Sequence, residues 1–241
     1  MSDTWTVACK EWRELFGQRG MQGRQGMLLF IGAFGLLLPL MNGRAWIASP
    51  VMAAAWSWVP MFLVTTVIAD AFAGERERHT LETLLATRLS EPAILFGKMG
   101  AAIGYAAAMC GASVVLGILV VNVADPGPGL ILYRWPVVVT MLVLGSIGAV
   151  FVASIGALIS LRSPTVRQAQ QTLGGVILVL FVLPVAGIRW LPDAWTRHAT
   201  SSAALGAQIA VGLILLLVLV DAALVWLTLA RFRRDGLIAR I

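Results

Sequence analysis

Long stretches without a charge alternate along this chain with short charged connectors. A helix needs about 20 mostly apolar residues to cross the hydrocarbon core of a bilayer. Runs of that kind lie at 25–43, 45–69, 99–124, 135–161 and 168–188, and a sixth at about 203–230 is interrupted only by Asp221. They predict an all-α polytopic membrane protein of six transmembrane helices, with both termini on one side. Residues 3–17 follow a different pattern. Trp5, Ala8, Trp12, Leu15 and Phe16 recur near helical spacing, while Lys10, Glu11, Arg13 and Glu14 fall mostly on the other side. That predicts an amphipathic helix with its tryptophans at interfacial depth.

The connector between the second and third runs, 70–98, reads DAFAGERERHTLETLLATRLSEPAILFGK. Gly74 can end the second helix, and a new helix is predicted over 75–89. Leu81, Leu84, Leu85 and Leu89 form one apolar stripe at helical spacing. Glu75, Arg76, Glu77, Arg78 and Glu82 occupy the other faces, with Arg78 and Glu82 one turn apart. Ser90 is a good N-cap, followed by Glu91 and Pro92 in the first turn of the next helix. The connector is too short to build a core of its own. With no internal repeat and no linker, residues 1–241 read as one membrane domain.

Composition agrees with the pattern. Apolar residues make up 59% of the 241 positions, charged residues 12%, and the mean hydropathy is +0.86. Soluble domains carry roughly 25% charged residues. The net charge of +6 does not point to nucleic acid, because the basic residues flank the apolar runs. There they act as topology determinants and contact anionic lipid. With the N-terminus inside, the inner segments hold Lys10, Arg13, Arg19, Arg24, Arg76, Arg78, Arg88, Lys98, Arg162, Arg167, Arg231, Arg233, Arg234 and Arg240, fourteen in all. The outer segments hold four, Arg44, Arg134, Arg189 and Arg197. The excess predicts both termini on the inner side. The start of the chain lacks the features of a cleaved signal, so the first run is expected to remain as an anchor.

Candidate chemistry is sparse. Cys9 and Cys110 are too few for a disulfide framework. His79 and His198 fall on opposite sides and form no metal-ligand group with them. There is no phosphate-binding loop: Gly97-Lys98 lacks both the upstream glycine and the following hydroxyl residue. Asp221 sits deep in the last run, where an acid costs roughly 2.5–3.5 kcal/mol on insertion scales, so it must face the bundle or water. A substrate, ion or proton site satisfies that, as does a polar tie to another helix. Gly100, Gly104, Gly145, Gly148 and Gly156 permit close helix packing. Residues 125–129 form a turn, and the stretch 189–202, with Trp190, Trp195 and His198, reads as an interfacial piece. A polytopic membrane enzyme is a remote alternative, since no nucleophile–base pair or metal motif stands out.

The order of residues in the connector resembles the signature loop of ABC-2-type transporter permeases. Asp70, Phe72, Gly74, Glu75, Glu77, Thr80, Leu81, Glu82, Leu84, Leu85, Ser90, Gly97 and Lys98 carry the resemblance. The N-terminal helix with Lys10-Glu11, the six runs and the basic tail agree with it. His79 stands where that family usually has glycine, and Arg88 where proline is common. The resemblance implies the membrane-spanning subunit of an ATP-driven exporter in a bacterial inner membrane. The connector would be a coupling helix that docks on a separate cytosolic ATPase. Glu75, Glu77, Thr80, Leu81, Glu82, Leu84 and Leu85 would transmit its motion, with the leucines as an apolar knob. ATP and magnesium would be bound by that partner, with no cofactor on this chain. A second permease copy would complete the assembly as a homodimer, and Trp190 and Trp195 would stand at an outer gate. Two relatives of this reading are a haem-export or cytochrome-maturation permease and a non-transporting module that relays ATPase motion.

Overall fold

The computed structural model of the chain describes residues 3–17, 21–127, 129–190 and 203–232, all of them helix or connecting turn. Helix α1, Asp3–Gly17, is the amphipathic segment. Helix α2, Met21–Ile31, passes without a break into a π-helical stretch, Gly32–Leu37, and then into α3, Leu38–Asn42. Pro39 explains the change of winding: it lacks an N–H, and its ring crowds the carbonyl four residues earlier. Gly35 brings this stretch close to a later helix, since a Cβ there would lie 3.0 Å from Leu116. Gly43 then reverses the chain at φ +52°.

The second predicted run differs at both ends. Helix α4, Ala45–Ala48, is separated by extended Ser49 from α5, Pro50–Glu77. Pro50 opens α5 because the first turn needs no N–H there. At the other end Gly74 does not stop the helix, contrary to expectation. Gly74 is required there for a close approach instead: a Cβ would collide with the Asp70 carboxylate and lie 2.8 Å from the Arg78 guanidinium. The helix predicted over 75–89 is therefore three pieces: the last turn of α5, a reversal at His79, and a short helix α6, Leu81–Leu85. His79 takes φ +54°, a left-handed conformation that L side chains rarely adopt.

Ser90 occupies the N-cap position as expected, although its hydroxyl makes no cap bond. Helix α7, Glu91–Ala124, follows as 34 continuous residues. The run predicted at 99–124 is only its C-terminal part. Helices α8, Trp135–Ser160, α9, Val166–Trp190, and α10, Ala203–Arg231, complete the bundle.

Five segments among the described residues are long and apolar enough to cross a membrane: Gln25–Asn42, Trp56–Glu77, Glu91–Ala124, Trp135–Ser160 and Val211–Arg231. The run predicted at 168–188 lies within α9. Helices α5 and α8 form the most extensive pair, and glycines set their separation. A Cβ on Gly145 would lie 3.3 Å from Pro60, one on Gly148 would lie 2.8 Å from the Met61 sulfur, and one on Gly156 would strike Ile68. Gly104 holds α1 in the same way, 3.1 Å from the Trp12 ring, whereas Gly100 faces open space. The main core gathers Val64, Ile68, Phe72, Ile94, Leu95, Ala153 and Leu173 from α5, α7, α8 and α9. A second cluster, Trp46, Ile47, Trp56 and Val121, sits toward the other end. There Arg44 ties the first helices to the turn after α7. Its backbone N–H donates to Asp125 Oδ2 at 3.2 Å and its guanidinium donates to the Gly129 carbonyl at 2.8 Å.

Candidate functional site

The charged connector is built into the bundle rather than laid on it. Leu81 and Leu84 turn inward and join the main core, at 2% and 9% exposure. These two side chains seat α6 on its own protein. Thr83, Ala86, Arg88 and Ser90 are exposed, as are Glu77, Arg78, His79 and Thr80. The side chains of Glu82 and Leu85 lie outside the described residues.

Beneath the connector is a buried charge cluster drawn from three helices. Lys98 of α7 is 2% exposed. Its Nζ donates to Glu11 Oε1 of α1 at 2.7 Å and to Glu75 Oε1 of α5 at 2.9 Å. Lys10 approaches Glu75 at 3.7 Å and Glu14 at 3.4 Å from a half-exposed position. The Phe72 ring lies 5.5 Å from the Lys98 ammonium, within cation–π range. The close approach depends on Gly97, where a Cβ would lie 2.5 Å from Val7 of α1. Removing water from an ammonium is expensive unless carboxylates replace it, and this arrangement supplies two. Glu75 is 6% exposed and lies inside the bundle rather than at its surface.

The remaining connector charges reach other helices. Arg76 donates to the carbonyls of Leu161, at 2.8 Å, and Ser163, so it caps the end of α8. A cation on the last carbonyls of a helix also suits its dipole. Glu77 accepts the Val166 N–H at 3.0 Å, at the first residue of α9. Arg78 pairs with Asp70 at 3.5 Å; the expected Arg78–Glu82 pair falls on a side chain outside the described residues. Thr80 Oγ1 donates to the Glu75 carbonyl at 3.3 Å, and the Leu84 N–H donates to the Thr80 carbonyl at 3.0 Å. Ser160 of α8 donates to the Ala69 carbonyl at 2.8 Å and accepts the N–H groups of Phe72 and Ala73. Phe232, at the end of α10, packs on Phe72 with ring centroids 5.4 Å apart. Every long helix from α5 onward, and α1, thus contacts the segment 69–84 or the Lys98 cluster it covers.

Two residues of this junction are not marked in the sequence. Ser160 sits near the end of an apolar run and Phe232 among the arginines that follow the last one, and neither setting marks a contact. Of the other predicted positions, Asp221 faces a groove between α8 and α10. The side chain of Trp190 and the whole of Trp195 lie outside the described residues. Among the described residues no three metal-ligating side chains come together.

Several long apolar helices joined at one end by a buried ionic junction define a multi-pass membrane protein. Residues 37–237 match a family described as ABC-2 family transporter protein, and the chain belongs to it. No curated protein matches the sequence closely enough to count as a relative. The chain is therefore the permease component of an ABC-type transporter, a class that associates with an ABC ATPase at the membrane.

Proposed function

We propose that this chain is the transmembrane subunit of an ATP-driven exporter in a bacterial inner membrane. Six spans would place both termini inside, with α9 as the fifth. Two copies would work with two cytosolic ATPases, which bind the ATP and magnesium. The observation that carries this reading is the connection of α6, through Thr80 and the Glu75 carbonyl, to the Lys98 cluster. A force applied to α6 reaches α1, α5 and α7 through Glu75, Lys98 and Glu11, reaches α8 through Arg76, and reaches α9 through Glu77.

The roles divide accordingly. Leu81 and Leu84 anchor α6 to the core, and Thr80 fixes its first turn. Glu75 and Glu77 pass motion onward. Glu82 and Leu85, with the exposed Thr83, Ala86 and Arg88, form the contact with the ATPase. The test is co-purification of the tagged chain in mild detergent. A soluble ATPase is expected with the wild type and with Arg13→Gln, and is lost with Thr83→Trp, which adds bulk at an exposed site. Leu84→Asp should also lose it, by unseating α6. Retention of the ATPase by both variants would overturn this assignment of the contact. Absence of an ATPase from the wild type would overturn the coupling itself.

A further inference from the structure

The groove between α8 and α10 has a volume of about 540 Å³ and is lined by Ser146, Val150, Val218, Asp221, Val225 and Trp226 among others. Asp221 is 7% exposed, and its Oδ1 has no hydrogen-bond partner among the described residues. A buried carboxylate without a partner is costly in apolar surroundings. The neighbours do not relieve it. Thr228, two turns away, instead spends its hydroxyl on the Leu224 carbonyl at 2.6 Å, with a longer contact to Ser154 on α8 at 3.4 Å. Apart from Ser146 and Asp221 the groove presents only apolar and aromatic walls.

We propose that this groove binds an amphipathic organic cation, with Asp221 as its anionic anchor. The carboxylate supplies the opposite charge and the aliphatic walls take the apolar body. Trp226 offers a ring face to the cation. A metal ion fits poorly, because hard cations need several oxygen ligands and the groove offers one carboxylate and one hydroxyl. A second copy meeting the groove by the same face would bring no opposite charge, because the exposed face of α10 beside it carries leucine, valine, alanine and Trp226. That this ligand is the transported substrate rests on the exporter reading, but the binding itself does not.

The experiment measures binding of radiolabelled tetraphenylphosphonium to the full chain in phosphatidylcholine nanodiscs, after subtraction of empty discs. Saturable binding is expected. Asp221→Asn should weaken it at least tenfold. Val150→Trp, which fills the groove and keeps the acid, should weaken it as much. Tetraphenylborate, of the same shape and opposite charge, should not compete. Unchanged affinity in both variants, or equal competition by tetraphenylborate, overturns the proposal. So does efficient cross-linking of two Ala222→Cys copies, in a background lacking Cys9 and Cys110, that tetraphenylphosphonium does not slow; the groove would then be a contact between copies. Failure to recover an ATPase would sink the exporter reading and leave these binding outcomes as they are.

Discussion

Lys98 is held by carboxylates from two other helices, so its removal leaves charge behind as well as losing contact. Breaking a buried pair by deleting one partner costs about 3–5 kcal/mol. Lys98→Met is expected to destabilise the protein by that order, read as a loss of thermal stability in detergent. Adding Glu75→Gln should cost less than the two changes made separately, because the second removes a charge the first has stranded. His79 makes the opposite prediction. Its left-handed backbone strains any residue with a Cβ, so His79→Gly should raise stability by up to about 1 kcal/mol. In the sequence Lys98 is visible as half of a Gly-Lys pair and His79 as a departure from a family glycine. The partners of Lys98 are not visible, since Glu11 lies 87 positions away and either acid could equally have faced water.

Helices in this chain meet where side chains are absent. Gly97 admits Val7, and Gly156 admits Ile68. Gly97→Leu is expected to lift α1 from α7 and expose Cys9, now half-buried. The measurement is a several-fold faster reaction of Cys9 with a water-soluble maleimide in the variant; an unchanged rate would refute it. The existence of the long helices was legible because an uninterrupted apolar run has few other fates in a bilayer. Their ends were less so. Gly74 reads as a helix breaker only when its neighbours are ignored; in the bundle its missing side chain makes room for Asp70 and Arg78, and α5 continues. The leucine stripe over 81–89 likewise shows which residues share a face, while only tertiary packing decides that Leu81 and Leu84 turn inward. Periodicity specifies an apolar face but not whether it meets the same chain or another.

At the scale of the whole molecule the uneven distribution of basic residues predicts an orientation, and that topology can be checked with single cysteines in a background lacking Cys9 and Cys110. A cysteine replacing exposed Thr83 should react with a membrane-impermeant reagent only from the inner side. One replacing exposed Gly129 should react only from the outer side. Reaction of both from one side would refute the arrangement. The length of α7 has a mechanical consequence. Its 34 residues make an unbroken rod of about 51 Å, longer than the roughly 30 Å hydrocarbon core. Helix α1 holds the rod near one end, at Gly97 and Gly104, and the first span packs on its far half, where Gly35 meets Leu116 and Gly117 meets Pro39. Measured from the α1 contact, it has a short arm toward α6 and a long arm toward Arg44. From Lys98 to Ala124 the long arm measures about 39 Å at 1.5 Å per residue. A tilt of about 10° at that contact would sweep its tip by about 7 Å on that same rise. Because Arg44 grips Asp125 and Gly129 beyond that tip, the sweep would drag the end of the first span with it.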